Sequence, residues 1–365
     1  MKKKILIVST KDPFTKGGDS ILIDSLAQEL SKYFETEKIY IPFSTSPELI
    51  EEQIEGIRKL KFNYGDIAIT SRPLSYAIKH HNKIVWFMHH IRYLYDLWDS
   101  EINPYKKEKN KLNELRKKVM EYDNKFLREC KKVFSISENV KKRLKKYNNI
   151  DSEVLYPPVT NFEKFKNEGY EDYFFFPSRI AINKRQHIAV EALKYTKKDY
   201  KLILAGQIDE KYFNRKIKPL LKDPEINRKV EILGYIPEEK KIELYSRCLA
   251  VLFTPFDEDY GYITIESFYS SKMVIATTDS GGPLEFIKDG YNGIITNPDP
   301  VSIAKTMDWI FENKHKAIEM GNNSKQYILT KSLSWTEVIS KLVPPNFFEK
   351  FINQIKNIMV SRERD

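Results

Sequence analysis

Only two cysteines occur in 365 residues, Cys130 and Cys248. They are far apart and lack metal-ligand spacing, so a disulfide framework is excluded. Both are expected to be inert thiols of a reducing compartment. Long apolar runs are missing too: none approaches the roughly 18 residues of a membrane span. The start, MKKKILIVSTKDP, is apolar only at 5–8 before charge returns. That falls short of the roughly 7–15 residues of a secretory segment, so a first β-strand is expected there. Histidines number six, with no HExxH and no paired carboxylate spacing, and no metal site is expected. GxGxxG and the Walker A lysine motif are both absent, which removes most support from dinucleotide dehydrogenases and P-loop kinases.

What is present suffices for two cores. The chain is too long for one ordinary core, and it holds 22 Tyr and 21 Phe. Short apolar runs alternate with amphipathic stretches: ILIVS (5–9), KIYI (38–41), DIAIT (66–70), KIVWFM (83–88), KKVFSI (131–136) and SEVLY (152–156). After YPPV and a polar linker the pattern restarts with YFFFPS (173–178), KLILAG (201–206), VEILG (230–234), LAVLF (249–253), MVIAT (273–277) and a short GII (293–295). Near-continuous apolar strands between helices predict parallel sheets covered on both faces. We therefore expect two α/β domains, 1–168 and 169–345, facing a cleft. The tail, broken at Pro344-Pro345, is expected to send a helix over 346–365 back onto the first domain.

Ligands in such sheets bind beyond the carboxyl ends of the strands, so the loops that follow strands carry the chemistry. FTPFDEDYGYITIE (253–266) breaks from a strand at Pro255 into an acidic loop and restarts at Gly261 as a helix. The amides of Gly261, Tyr262 and Ile263 would face outward as an anion site. Glu258 and Glu266 would flank it and read hydroxyls as acceptors. A capped turn with two solvated acids is the plain alternative. Arg179 and Lys184 bracket the loop after YFFFPS and could converge on one diphosphate, the first as a fork of donors and the second as a point charge. Gly17-Gly18 precede the first helix, where either a phosphate approach or an ordinary turn fits. His89-His90 end the KIVWFM strand, and since neighbouring side chains point oppositely, one of the two should face the ligand.

Net charge is +10. Residues 103–146 hold 16 Lys/Arg against 6 Asp/Glu, a difference of 16 − 6 = 10, so the rest of the chain is neutral. A local basic stretch suits an anionic membrane or a lipid-linked phosphate, with a solvated lysine face as the alternative.

These features, in this order, resemble the retaining glycosyltransferases of the GT-B fold, family 4. The resemblance runs over nearly the whole chain. It rests on the Gly17-Gly18 loop, the strand-end His, VFSISENVKKRL with VLYPPV, PSRIAINKRQHIAVEAL, LILAG, VEILGYIPEEKKIELYSRC, the E-x7-E pair Glu258 and Glu266, SGGPLEFIKDGYNGI and Ser334-Trp335. It implies two Rossmann-like domains and a nucleotide-sugar donor as co-substrate, with no cofactor and no metal. Arg179 and Lys184 would bind the donor diphosphate and Glu266 the ribose. Glu258 would contact the transferred sugar with help from Gly261, Tyr262 and Ile263, and His89 would serve the acceptor side, with His90 as the register alternative. Front-face attack, the departing phosphate taking the acceptor proton, is the mechanism implied.

Two positions depart from the family pattern. Ser271-Lys272 replaces a glycine turn after the second Glu, and Lys184-Arg185 stands where Lys-Gly is usual. Lys-Arg, Glu-Asp-Tyr-Gly and Tyr-Pro-Pro-Val resemble the GDP-mannose-using branch, with UDP-sugars next. The expected acceptor is a glycan or a lipid-linked glycan, and the expected location is cytoplasmic, peripheral at the inner membrane face. A sugar-nucleotide 2-epimerase of the same fold is the first alternative. A basic nucleic-acid-binding protein is the second, disfavoured by the neutral second half; no nucleic-acid partner is expected.

Overall fold

Apolar residues that run without alternation form strands buried on both faces. A computed structural model of the chain describes residues 3–12, 18–331, 333–345 and 347. Six parallel strands build the first sheet: β1 (Lys4–Lys11), β2 (Glu35–Pro42), β3 (Ile67–Thr70), β4 (Lys83–Phe87), β5 (Lys132–Ser135) and β6 (Glu153–Val154). Their order is β2-β1-β3-β4-β5-β6. Six more parallel strands build the second: β7 (Tyr173–Pro177), β8 (Lys201–Ala205), β9 (Val230–Gly234), β10 (Ala250–Leu252), β11 (Val274–Thr277) and β12 (Gly293–Thr296). These run β12-β11-β10-β7-β8-β9. Counted from its own first strand, that is the 3-2-1-4-5-6 order of a doubly wound dinucleotide-type sheet.

The chain divides into two units, one of 1–158 with 334–365 and one of 159–333. The expected boundaries, 168 and 345, shift for reasons of packing. Residues just after Pro158 already belong to the second unit, where Phe162 lies 4.9 Å from the Tyr269 ring and Phe165 5.8 Å from that of Tyr245. The helix Trp335–Leu342 belongs to the first: Trp335 meets Trp86 edge-on at 6.4 Å, and Lys341 pairs with Glu153. Ser334 caps this helix by accepting from the Glu337 amide at 3.2 Å. The expected crossing helix over 346–365 lies outside the described residues, apart from Phe347.

Each sheet is covered by helices with one apolar stripe. Pro47–Lys59 opens with proline at its first turn and buries Ile50, Ile54 and Ile57 along one face. Lys109–Arg128 buries Leu112, Leu115, Val119, Phe126 and Leu127 and leaves most of its lysines in solvent. In the second unit Phe174, Phe175 and Phe176 are wholly buried, and Phe253 meets Phe176 edge-on. Both cysteine thiols are pushed up to about 12 by burial, which keeps them from reacting as thiolates. No helix among the described residues is long and apolar enough to cross a membrane.

Candidate active site

Strand β10 pairs with β7, and here the order of the second sheet reverses. In doubly wound sheets the loops that leave such a reversal are where ligands bind, beyond the carboxyl ends of the strands. The loop after β7 carries Arg179 and Lys184, and the loop after β10 carries Glu258 and Gly261. They are stitched together by the Phe256 amide, which donates to the Asn183 carbonyl at 2.8 Å.

Lys184 and Glu258 meet there. The Lys184 ammonium donates to both carboxylate oxygens at 2.6 and 2.5 Å, and the side chains are 14% and 16% exposed. At this separation and burial, water screens the charges far less than on an open surface. Arg179 is brought to the same strand end, but its side chain is exposed and makes no hydrogen bond or ion pair among the described residues. Its carbonyl accepts from the Gln186 side chain at 2.9 Å.

Behind the pair stands the helix Tyr262–Tyr269, with Gly261 as its N-cap at φ 92, ψ 62. A β-carbon on Gly261 would lie 2.7 Å from Pro283 Cγ, so both backbone conformation and close packing demand glycine. Tyr262 and Ile263 sit in the first turn, where backbone amides have no partner within the helix. The loop after β11 presses in from the side. Glu258 N donates to Ser280 O at 2.9 Å, Gly282 N donates to Glu258 O at 2.8 Å, and a β-carbon on Gly282 would meet Tyr260 O at 2.7 Å.

Glu266, in the second turn of that helix, is held by a different helix, Glu238–Arg247. It accepts from Lys241 Nζ and from the Tyr245 hydroxyl, each at 2.9 Å. Burial opposes charge on Lys241, yet Glu266 outweighs it and raises the ammonium above its ordinary value. Lys241 and Tyr245 are four apart and share a helix face. That spacing in PEEKKIELYSRC is a signal the sequence reading passed over. That reading named Arg185 but not its pairing with Asp279, a bidentate pair at 2.7 and 2.6 Å beside Lys184.

In the first unit the two histidines separate cleanly. His90 is buried, its Nε2 lies 2.8 Å from Asn148 Oδ1, and its ring stacks on Tyr95 at 4.1 Å. His89 is half-buried. Its Nδ1 lies 2.7 Å from the His90 carbonyl, which can only accept, so Nδ1 carries the proton and a neutral ring keeps Nε2 as an acceptor. Gly18 starts the helix Gly18–Ser31, while Gly17 lies outside the described residues. The loop after β3, at 71–74, was missed by the sequence reading. It occupies the reversal point of the first sheet, and Thr10 Oγ1 donates to Pro73 O at 2.9 Å.

The basic stretch is partly neutralised. Lys106, Lys109, Lys117, Lys118, Lys141, Arg143 and Lys145 all have carboxylate partners. Lys107, Lys111, Lys131, Lys132 and Lys142 are exposed and have no ion pair among the described residues.

Residues 159–327, nearly all of the second unit, match the family Glycosyl transferases group 1. Over 243 residues, 60% of this chain, the protein is 28% identical to alpha-1,3/1,6-mannosyltransferase ALG2 of Homo sapiens. The chain spans about half the length of the curated relatives it matches, 56% in that case. Among solved structures, sucrose-phosphate synthase from Thermosynechococcus elongatus superimposes with a TM-score of 0.73 at 15% identity, covering 99% of this chain and 100% of that one. Anabaena HepE in complex with UDP and glucose gives 0.68 at 14% identity over 97% of this chain and 100% of that one. At such identities the likeness shows the fold. It is the two-unit GT-B architecture that the resemblance implied, with the matched region 159–327 in its second half.

Proposed function

We propose that the protein is a retaining glycosyltransferase that moves a hexose from a nucleotide sugar to a glycan or lipid-linked acceptor. The observation that carries this reading is the Lys184–Glu258 pair at the reversal point of the second sheet. A donor diphosphate laid on the Tyr262–Tyr269 helix start would take over Lys184, with Arg179 as a second cation. Glu258, released from its partner, would then accept from the sugar hydroxyls. Charge developing on the departing phosphate would meet Lys184, Arg179 and the helix amides, groups fixed before reaction and therefore effective where charge appears. Glu266, pre-oriented by Tyr245 and Lys241, suits the ribose hydroxyls.

His89 is the acceptor-side group in the first unit, since its Nε2 can accept a hydroxyl proton in a hydrogen bond. GDP-mannose is our leading donor, supported by the mannosyltransferase relative. A UDP-sugar comes next, supported by the UDP in the HepE complex. Catalysis is assigned to side-chain cations and amides without a metal. The enzyme would work at the cytoplasmic face of a membrane, its exposed lysines between 103 and 146 meeting anionic lipid.

Thermal unfolding with GDP-mannose, UDP-glucose, GDP and UDP tests the donor. A ligand at 100 times its dissociation constant stabilises by about 2.7 kcal/mol. GDP-mannose should raise the wild-type midpoint and leave that of Lys184→Ala unmoved. No response to any of the four ligands would remove the nucleotide-sugar reading. Consumption of the donor without acceptor to give an epimerised sugar nucleotide would replace it by the epimerase.

A further inference from the structure

We propose that Arg185 is a positioning residue for transfer. Locked to Asp279, it holds the loops after β7, β10 and β11 in one register and thereby keeps Lys184 in contact with Glu258. The inference rests on the donor site assigned above, and it concerns a side chain whose donors are taken up by protein acceptors.

Arg185 occupies φ 58, ψ 34, a left-handed conformation that side-chain-bearing residues avoid. Its guanidinium is 11% exposed and almost fully committed. Nε donates to Thr254 O at 3.0 Å, and Nη2 donates to Pro255 O at 2.8 Å and to Thr277 Oγ1 at 2.9 Å. Both terminal nitrogens meet Asp279. Burial opposes charge on Asp279, but Arg185 outweighs it and holds the carboxyl below its ordinary value.

The clamp reaches the acid through the backbone. Asp279 O accepts from the Asp257 amide at 2.8 Å, and the next residue, Ser280, accepts from the Glu258 amide at 2.9 Å. Lys184 is fixed from the other side as the neighbour of Arg185. Asp279 matches the charge of Arg185 as Glu258 matches that of Lys184, and only the second pair is the one a diphosphate would part in the reading above. A lysine at 185 could not reproduce the arrangement, since its donors radiate from one atom instead of a planar fork.

Glycine tolerates the backbone conformation at 185, so Arg185→Gly combined with Asp279→Asn removes the clamp without strain and without leaving an unpaired carboxylate. The decisive measurement is acylation of Lys184 by the N-hydroxysuccinimide ester of acetate, read by peptide mass spectrometry on the full chain without donor. Exposed Lys211 serves as the rate reference, and buried Lys272 reports that the unit remains folded. Lys184 should label about tenfold faster than in wild type while Lys272 stays protected. With a donor that wild type turns over, kcat should fall about a hundredfold with KM for the donor little changed, as misplacement of a positioned group predicts. Added guanidinium should restore part of that kcat. An unchanged Lys184 rate would overturn the clamp. Should Lys272 become reactive, Arg185→Lys replaces the double variant, with the same expectation and the same overturning result. Wild-type turnover decides the transfer reading separately, because the labelling needs no substrate.

Discussion

In the first sheet the strand order reverses between β1 and β3, and in the second between β7 and β10. Both reversals open loops at the carboxyl ends of parallel strands, yet the side chains there are used differently. Around the second reversal charged groups face one another across the opening: Lys184 with Glu258, and Arg185 with Asp279. In the first sheet three neutral side chains bond groups of their own unit. Thr10 bonds the Pro73 carbonyl, Ser71 the Trp86 carbonyl, and His90 the buried Asn148. A pair of opposite charges beside a helix start can exchange partners with an incoming anion. A hydroxyl committed to a buried carbonyl cannot do so without leaving that carbonyl unpaired.

The sharpest way to break this contrast is to remove the pair itself. Lys184→Ala and Glu258→Ala should each lower kcat by at least about a hundredfold, the scale for losing one preorganised charge partner in a closed site. Circular dichroism should show the fold intact, because both side chains lie at strand ends and outside the apolar core. Near-normal turnover in Lys184→Ala would remove this lysine from the donor site and leave the second reversal with no more claim to chemistry than the first.

The first unit offers an internal control in its adjacent histidines. His90→Ala deletes a buried ring stacked on Tyr95 and takes the His90 contact from Asn148 Oδ1, so stability should fall by about 2–4 kcal/mol in denaturant titration. His89→Ala removes a half-buried ring that bonds its own neighbour's backbone carbonyl. It should lower turnover while the unfolding midpoint moves little. If the two effects were exchanged, His90 would be the acceptor-side group and the structural role assigned to the first sheet's polar residues would fail at its best example.

Much of this is legible in the sequence alone. Fourteen consecutive letters, FTPFDEDYGYITIE, contained a strand end, a loop acid, a glycine cap and a helix acid, because each depends on local chemistry. Strand positions followed from apolar runs for the same reason. Contacts between residues distant in sequence were not legible. Arg185 and Asp279 are separated by 94 positions, and nothing in Lys-Arg or Thr-Asp-Ser indicates that one fork would tie three strand ends. The choice between His89 and His90 depended on whether Asn148 and Tyr95 fill the space beneath one of them, which is a property of packing. Domain boundaries shifted because Phe162, Phe165 and Trp335 found aromatic partners that their neighbouring sequence does not announce.

A buried acid sharpens the contrast through pH. Asp123, in the first unit, is enclosed and accepts from the hydroxyls of Tyr76 at 2.6 Å and Tyr95 at 2.5 Å. Burial raises its carboxyl to about 6 against an ordinary 3.8, the two hydroxyls restraining the rise. The folded chain therefore holds a proton that the unfolded chain releases. This contribution is complete below about pH 4 and is lost as pH climbs through about 6. Its size is bounded by about 3 kcal/mol for a shift of about two units. Relative to Asp123→Asn, wild type should lose stability between pH 4 and 6 in urea titrations. A difference independent of pH over that window would show Asp123 ionised throughout.

The smallest effect returns to the second unit. Ser271 stands where the resembled family places glycine, and its backbone at φ 55 is left-handed. A residue with a β-carbon is strained there by about 1–2 kcal/mol. Glycine relieves the strain but frees the unfolded chain by about 0.5–1 kcal/mol. Ser271→Gly should therefore stabilise by about 0.5 kcal/mol, the remainder of those two opposing terms, measured as a higher urea midpoint at unchanged slope. The Ser271 carbonyl accepts from the Tyr170 hydroxyl at 3.0 Å, a bond that glycine retains. Loss of stability would mean that the serine hydroxyl offsets its own backbone strain, and the departure from glycine at this turn would then be a compensated exchange.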